Sequence, residues 1–149
     1  MIMKYKLTDE TITTESGVLL HRIECVCSFL NVKAGDKGGW IEKEENLSQY
    51  GYAWVSDNAM VCDNAWVYGD AWVCDNAVIC NSNDYVVFKN NWSSGRHFTW
   101  TRSNDKWKVG CFYGTGKELI EKAYKDSKLS GDCYKAYVEL VEKLKELQK

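Results

Sequence analysis

The sequence predicts a mainly β protein with a coil of short repeats in its middle and an α+β part at its C terminus. Three observations support this prediction: five consecutive six-residue units fill residues 53–82, alternating apolar segments flank them, and two amphipathic stretches close the chain. A short, fixed period is typical of a chain that stacks on itself. With 149 residues, 45% of them hydrophobic and 13% aromatic, the chain can bury a core.

The N-terminal third predicts a long β-hairpin, because residues 4–7 and 18–26 are apolar and strand-like and flank a polar stretch. The glycine-rich segment that follows carries Ile41 and Leu47 six residues apart, which indicates a first, irregular turn of the coil. The step from Leu47 to Val55 is eight residues rather than six. This predicts a two-residue bulge at residues 49–51.

Each repeat unit begins with alanine, has an aliphatic third residue and a turn-forming fifth residue. The third residues are expected to fill the coil and the alanines to sit where only a small side chain fits. The fifth residues are expected at corners, where Asp, Asn and Gly tolerate left-handed backbone angles. They are Asp57, Asp63, Gly69, Asp75 and Asn81.

These units resemble those of the hexapeptide-repeat proteins, whose left-handed parallel β-helix makes each unit one face of a triangular coil. The resemblance implies a short left-handed parallel β-helix of two to three coils, with three units in each turn. Residues 18 apart would then stack at the ~4.8 Å spacing of paired strands. Trp54 would lie on Trp72, and Cys62 on Cys80, with the tryptophans pointing outward as an aromatic strip.

After residue 82 the period stops, and residues 84–89, 97–102 and 107–113 predict a small antiparallel sheet. A capping box at residues 115–118 predicts a helix to about Lys128, and residues 130–132 are expected to begin a second helix. The apolar stripe of that second helix is predicted to be Cys133, Ala136, Tyr137, Leu140, Val141, Leu144 and Leu147. We therefore expect three parts: a hairpin cap at 1–31, the repeat coil at 32–82, and an antiparallel sheet with two helices at 83–149.

The whole order of segments is similar to that of small, uncharacterised hexapeptide-repeat proteins common in phages and prophages of Gram-positive bacteria. The similarity is carried by Gly38-Gly39-Trp40-Ile41-Glu42, the Asn-Ala-x-Val hexads and Gly110-Cys111-Phe112-Tyr113-Gly114. It implies a fold and a viral origin, and it implies no particular reaction.

Composition narrows the function classes. The net charge of −2 is spread over mixed signs, so nucleic-acid binding is not expected. No segment approaches the ~18 apolar residues of a membrane span, and the first six residues lack a signal-peptide core. The predicted location is the cytoplasm of the host cell.

The seven cysteines are expected to be reduced thiols that pack as small apolar residues. No C-x-x-C pair is present and only His21 and His97 could supply imidazole, so neither a metal site nor a cofactor is predicted. A disulfide between Cys62 and Cys80 is geometrically possible on stacked rungs, but a cytosolic chain would keep it open.

The favoured function is a non-enzymatic, phage-encoded binding protein that counters host defence as a homo-oligomer, either a dimer or a trimer. Its partner would be a host defence protein, such as a CRISPR effector, or a small nucleotide signal. The aromatic strip supplies one group of candidate binding residues: Trp54, Met60, Trp66, Tyr68 and Trp72. A second group combines cations with aromatic rings: Arg96, His97, Trp100 and Arg102. For this second group the alternative is that Phe98 and Trp100 belong to the core and the arginines are solvated.

Two other functions stay open. One is a hexapeptide-repeat acyltransferase, an enzyme class that needs a histidine base at a trimer interface and a longer stack. Since the repeats contain no histidine and no Ser-His-Asp set appears, no catalytic residue is predicted. The other is a structural scaffold in which the strip is a self-interface, because the open ends of a short coil must be covered.

Overall fold

The computed structural model describes residues 3–149, apart from the side chain of Ser82, and within that range the chain forms eleven β-strands and two α-helices. The strands are β1 (Tyr5–Thr13), β2 (Leu19–Cys25), β3 (Lys37–Ile41), β4 (Trp54–Val55), β5 (Met60–Val61), β6 (Trp72–Val73), β7 (Val78–Ile79), β8 (Tyr85–Lys89), β9 (His97–Thr101), β10 (Lys106–Val109) and β11 (Phe112–Gly114). The helices are α1 (Gly116–Asp126) and α2 (Lys128–Leu147). Residues 1 and 2, which belong to the predicted hairpin cap, lie outside the described residues.

The predicted N-terminal hairpin is confirmed. Strands β1 and β2 pair antiparallel, with Tyr5 opposite Cys25 and Thr13 opposite Leu19. Strand β2 also pairs antiparallel with β3, whose other edge pairs parallel with β5. The hairpin thus covers the free edge of the first rung, which an uncovered parallel stack would leave open.

The repeats stack as three parallel ladders, which is the arrangement of a coil with three units in each turn. One ladder joins β3, β5 and β7, a second joins β4 and β6, and a third is the single bridge between Leu47 and Val67. Trp54 pairs with Trp72 at a spacing of 18 residues, whereas Leu47 pairs with Val67 at a spacing of 20. The two extra residues therefore lie between Leu47 and Trp54, where the sequence predicts a bulge.

The corners of the coil use left-handed backbone angles at four of the five predicted positions. Asp57, Asp63 and Asp75 have φ values of 56°, 55° and 57°, and Gly69 has 64°. Asn81 was predicted as a corner and is not one, since its φ is −151°. It begins a 3-10 turn at Ser82–Asp84, because the repeat ends there and the chain must leave the coil.

The interior of the coil is filled as the pattern predicts. The third residues of the five units are all fully buried: Val55, Val61, Val67, Val73 and Ile79. The five alanines are buried beside them: Ala53, Ala59, Ala65, Ala71 and Ala77. Tyr5, Ile23 and Cys25 of the hairpin belong to the same core cluster, so hairpin and coil share one interior.

The C-terminal sheet has the strand order β11-β10-β9-β8 and is antiparallel throughout. The single strand predicted at residues 107–113 is wrong, because it is two strands joined by a tight turn. Gly110 supplies the positive φ of 55° that this turn requires. Helix α1 begins with the predicted capping box, in which Thr115 accepts from the N–H of Glu118 and Glu118 accepts from the N–H of Thr115.

Helix α2 begins three residues earlier than predicted, with Ser127 as its N-cap. The predicted apolar stripe is partly wrong, since Leu140 is 44% exposed and Leu147 is 70% exposed. The buried face instead carries Tyr134 and Val141. Tyr134 turns this face toward the sheet because its ring packs edge-on against Phe98 at 5.1 Å.

The C-terminal sheet and the loops beside it cover the last turn of the coil. The outward-facing N–H of Trp72 donates to Oγ1 of Thr99 at 3.2 Å, and that of Val78 donates to Oγ of Ser103 at 2.7 Å. The N–H of Cys80 donates to Oδ2 of Asp84 at 2.7 Å. Side chains therefore pair backbone groups that a further rung would otherwise pair.

Neither helix in the described range combines the length and the hydrophobicity that crossing a bilayer requires. The division of the chain at residues 31 and 82 stays a prediction.

Candidate functional site

A histidine and an aspartate meet where strand β9 crosses the end of the coil. Nδ1 of His97 lies 2.9 Å from Oδ2 of Asp70, and both side chains are somewhat more than a third exposed. Alternation along β9 explains the contact, because His97 and Thr99 point to the same side of the sheet. Thr99 holds the N–H of Trp72. His97, two residues earlier, therefore reaches Asp70, two residues before Trp72.

This pair lies on a cleft of about 680 Å³, within the usual range for small-molecule sites. The cleft is lined by Asn64, Trp66, Tyr68, Gly69, Asp70, Tyr85, Val86, Val87 and His97. Residues of the third hexad form one wall, and strands β8 and β9 supply the other. The site therefore exists only when the C-terminal sheet is docked on the coil.

Two aromatic rings form an exposed stack in this cleft. The rings of Trp66 and Tyr68 lie 4.4 Å apart with an angle of 27° between their planes, and both residues are about half exposed. They flank the buried Val67, so strand alternation puts both on the outer side. The hydroxyl of Tyr85 donates to the carbonyl oxygen of Trp66 at 2.5 Å. Burial raises the pKa of Tyr85 to about 12, so this hydroxyl keeps its proton at neutral pH.

The His97–Asp70 contact determines what the imidazole can do. A carboxylate that accepts from Nδ1 favours the tautomer with its proton on Nδ1, and Nε2 is then free to accept a proton. The same carboxylate stabilises the imidazolium that forms when Nε2 is protonated. A histidine held in this way is suited to act as a general base toward a group bound in the cleft.

The predicted aromatic strip is not one surface. Trp54 is only 2% exposed, since Phe29 packs edge-on against it at 5.3 Å and Tyr5 at 6.5 Å. Met60 and Trp72 are partly buried and belong to different ladders. The reason is geometric: with three units in each turn, the second residues of successive hexads lie on successive faces. Of the five predicted residues, only Trp66 and Tyr68 lie in the cleft.

The second predicted group also separates. Trp100 is 1% exposed and its indole N–H donates to Oδ1 of Asp105, and Phe98 is buried too, so the core alternative is confirmed for both rings. Arg102 donates to the carbonyl of Asn83, and Arg96 is exposed. His97 faces away from Trp100 because the two are three residues apart on one strand. Only His97 of this group meets residues of the first group.

Sequence reasoning missed Asp70 and Tyr85. A signal for Asp70 was present, because the sixth residue of the other hexads is Asn58, Asn64, Asn76 or Ser82, and only the third hexad carries an acid there. The third hexad is also the one with aromatic residues at both its second and fourth positions. A hexad that departs from its neighbours at several positions indicates a local role beyond stacking.

No protein-family model matches the chain. Among curated proteins, the chain is similar to the uncharacterized acetyltransferase YdcK of Escherichia coli (strain K12), with 38% identity over 61 residues. The similarity covers 36% of this chain and 19% of the relative. The chain thus matches about a fifth of the length of that relative. This weakly supports the resemblance to hexapeptide-repeat proteins and does not extend to a phage origin.

The prediction of a non-enzymatic, counter-defence binding protein is wrong in the light of this similarity, because the relative is named as an enzyme. The similarity favours the alternative of an acyltransferase-like enzyme. The argument against that alternative was the lack of histidine in the repeats. The fold answers it by bringing His97 from β9 to an aspartate of the third hexad.

Proposed function

We propose that the chain is an acetyltransferase-like hexapeptide-repeat enzyme, with a left-handed coil, that moves an acyl group from a thioester to a hydroxyl or amine of a small molecule. The observation that carries this proposal is the His97–Asp70 pair on the aromatic-lined cleft. The partial similarity to a named acetyltransferase supports the same reaction class.

In the proposed reaction the acceptor's hydroxyl oxygen or amine nitrogen attacks the thioester carbonyl. Nε2 of His97 takes the proton that the attacking atom loses, while Asp70 holds Nδ1 and balances the positive charge on the ring. The carbon–sulfur bond then breaks, and the leaving thiolate regains a proton from the imidazolium. The products are the acylated acceptor and a free thiol, and no oxidant or reductant is needed.

The stack of Trp66 and Tyr68 would orient the acceptor. Exposed aromatic faces bind the flat or ring-shaped apolar side of a ligand, and a neighbouring carboxylate binds its polar groups. Because the stack and Asp70 belong to one hexad, a ligand lying on the rings comes close to the His97–Asp70 pair. We therefore assign Trp66 and Tyr68 to acceptor binding and His97 and Asp70 to proton transfer.

The test is acetyl transfer from acetyl-coenzyme A to a panel of amines and sugars, followed by mass spectrometry so that the protein's own thiols do not interfere. Replacement of His97 by Asn should lower kcat/KM by about 10²–10⁴. Asp70→Asn should lower kcat and alter the pH profile, because the amide no longer fixes the tautomer. His21→Asn is the matched control, since His21 contacts the carbonyl of Thr8 on the hairpin and should leave activity unchanged.

Two results would overturn the proposal. One is the failure of the wild-type chain to bind acetyl-coenzyme A at micromolar concentration and to acetylate any member of the panel. The other is a His97→Asn variant as active as the wild type. The expected homo-oligomer, dimer or trimer, is also a proposal, and the mass of the protein in solution tests it.

A further inference from the structure

Two thiols and a carboxylate meet on a different face of the coil from the cleft. Sγ of Cys62 lies 3.2 Å from Sγ of Cys80, its counterpart one turn later. The carboxylate of Asp63 joins them, so that the three possible ligand atoms lie within 4.8 Å of one another. We propose that Cys62, Cys80 and Asp63 form a binding site for a thiophilic divalent cation such as Zn²⁺.

The register of the coil explains why these atoms meet. Val61 pairs with Ile79 in the parallel ladder of β5 and β7, so Cys62 and Cys80 follow at equivalent positions on adjacent rungs. Asp63 is a corner residue with φ of 55°, and this bend directs the chain back past the thiols. The ligands are fixed by the repeat itself, which reduces the ordering that metal binding would otherwise require.

The donor set fits zinc better than magnesium or calcium. Thiolate sulfur is a soft ligand that selects Zn²⁺ among abundant divalent ions, whereas Mg²⁺ and Ca²⁺ prefer all-oxygen sites. Zinc binds cysteine at about 2.3 Å in a tetrahedron, which places two sulfurs about 3.8 Å apart. The present separation of 3.2 Å needs only a small side-chain rotation to reach that value. The fourth position would hold water.

The surroundings favour a cation. Glu42 precedes Cys62 in the same column of the ladder, since Ile41 pairs with Val61. Its Oε1 accepts the N–H of Asp63 at 2.8 Å, which fixes the backbone of the acidic ligand. The negative charge of Glu42 beside the site offsets the double charge of the ion. Cys62 is 5% exposed while Cys80 is half-buried, so an ion can enter from the side of Cys80 and Asp63.

The spacing rules for zinc motifs miss this site because its two cysteines are 18 residues apart and share no short motif. Proximity follows from the coil period and not from local sequence.

The experiment titrates the full chain, reduced and stripped of metals, with Co²⁺, whose thiolate complexes absorb in the near ultraviolet and in the visible range. The expected result is saturation at one Co²⁺ per chain with both absorptions, and displacement of Co²⁺ by Zn²⁺. Cys62→Ser and Cys80→Ser should each remove the thiolate absorption of the two-sulfur site, and Asp63→Asn should weaken Co²⁺ binding about tenfold or more.

Cys74→Ser is the matched control. Cys74 has the same hexad position, but the residue one turn earlier is Ser56, so it has no stacked thiol and its loss should leave the spectrum unchanged. Circular dichroism of each variant verifies folding, and Cys80→Ser serves if the buried Cys62→Ser fails to fold. Absence of the absorption in the wild type, or its persistence in folded Cys80→Ser, would overturn the proposal, as would a reduced chain that only forms a disulfide on oxidation. The readout does not depend on acetyl transfer, so the two proposals fail independently.

Discussion

The ammonium group of Lys4 donates a hydrogen bond of 2.6 Å to the carbonyl oxygen of Ala53, 49 residues further along the chain. Lys4 is only 6% exposed, and weaker contacts of 3.5 Å reach the carbonyls of Tyr50 and Gly51. The cation thus pairs the carbonyls of the bulge at the start of the repeats. It joins the N-terminal hairpin to the coil through a charge taken out of water.

This burial makes stability depend on alkaline pH. Desolvation lowers the pKa of Lys4 from 10.5 to about 8, so between these values the unfolded chain holds a proton that the folded chain has lost. Stability contributed through Lys4 therefore rises as pH increases from 8 to 10.5, by an amount on the order of 3 kcal/mol. Urea unfolding of the wild type and of Lys4→Met across this range measures it.

The comparison must be a difference between the two proteins, because the buried thiols act in the opposite direction. Burial raises the pKa of Cys74 to about 11, so its contribution to stability falls as pH increases above 9. Both proteins share that loss. A stability difference between wild type and Lys4→Met that stays constant from pH 7 to 10.5 would show that Lys4 keeps its ordinary pKa.

Gly51 and Gly69 provide a matched pair for testing close approach between rungs. Both have positive φ, 69° and 64°, so an added side chain meets the same backbone penalty at each. A Cβ on Gly51 would lie 2.7 Å from the carbonyl oxygen of Gly69, whereas a Cβ on Gly69 meets nothing within 4 Å. We expect Gly51→Asn to cost about 2 kcal/mol more than Gly69→Asn. Equal losses in thermal unfolding would contradict the rung spacing.

Trp54 and Trp66 have the same hexad position and opposite surroundings. Trp54→Ala should lower the free energy of unfolding by about 3–5 kcal/mol, because the indole is enclosed by Phe29 and Tyr5. Trp66→Ala should cost less than about 1 kcal/mol, because that ring is half exposed. Its effect should instead be a raised KM for the acceptor. A large loss of stability in Trp66→Ala, measured by denaturant titration, would contradict this assignment.

The cysteines should react with iodoacetamide in a fixed order. Cys27 and Cys111 are exposed and should be alkylated first. Cys62 and Cys74 are buried, and burial raises their pKa values to about 12 and about 11, so at pH 7.5 they hold very little of the reactive thiolate. Peptide mass spectrometry at increasing times gives the order. Early labelling of Cys74 would show that the last turn of the coil opens readily.

Much of the fold follows from the sequence because the coil is local and periodic. The inward valines, four of the five corners and the stack of Trp54 on Trp72 need only the hexad pattern and its period. Helix α2 was harder, since its leucines suggest one face while the aromatic contacts of Tyr134 select another. Propensity and pattern give way to tertiary packing at such positions.

The site was less accessible from sequence because it lies between two segments. His97 and Asp70 are 27 residues apart, and their contact depends on how the C-terminal sheet docks on the last turn. The sequence placed Trp66, Tyr68 and His97 among the candidates but assigned them to two separate surfaces. It could not show that Trp54 would be covered, since Phe29 arrives from the loop after the hairpin.

The period of the coil also limits how such a chain can change in length. Addition of a single hexad before residue 65 would turn the hairpin by one face relative to the C-terminal sheet, and the contact of Lys4 with the bulge would be lost. Addition of 18 residues there would keep every face in phase and leave Asp70 and His97 side by side. Relatives that share this site are therefore expected to differ in size by whole turns.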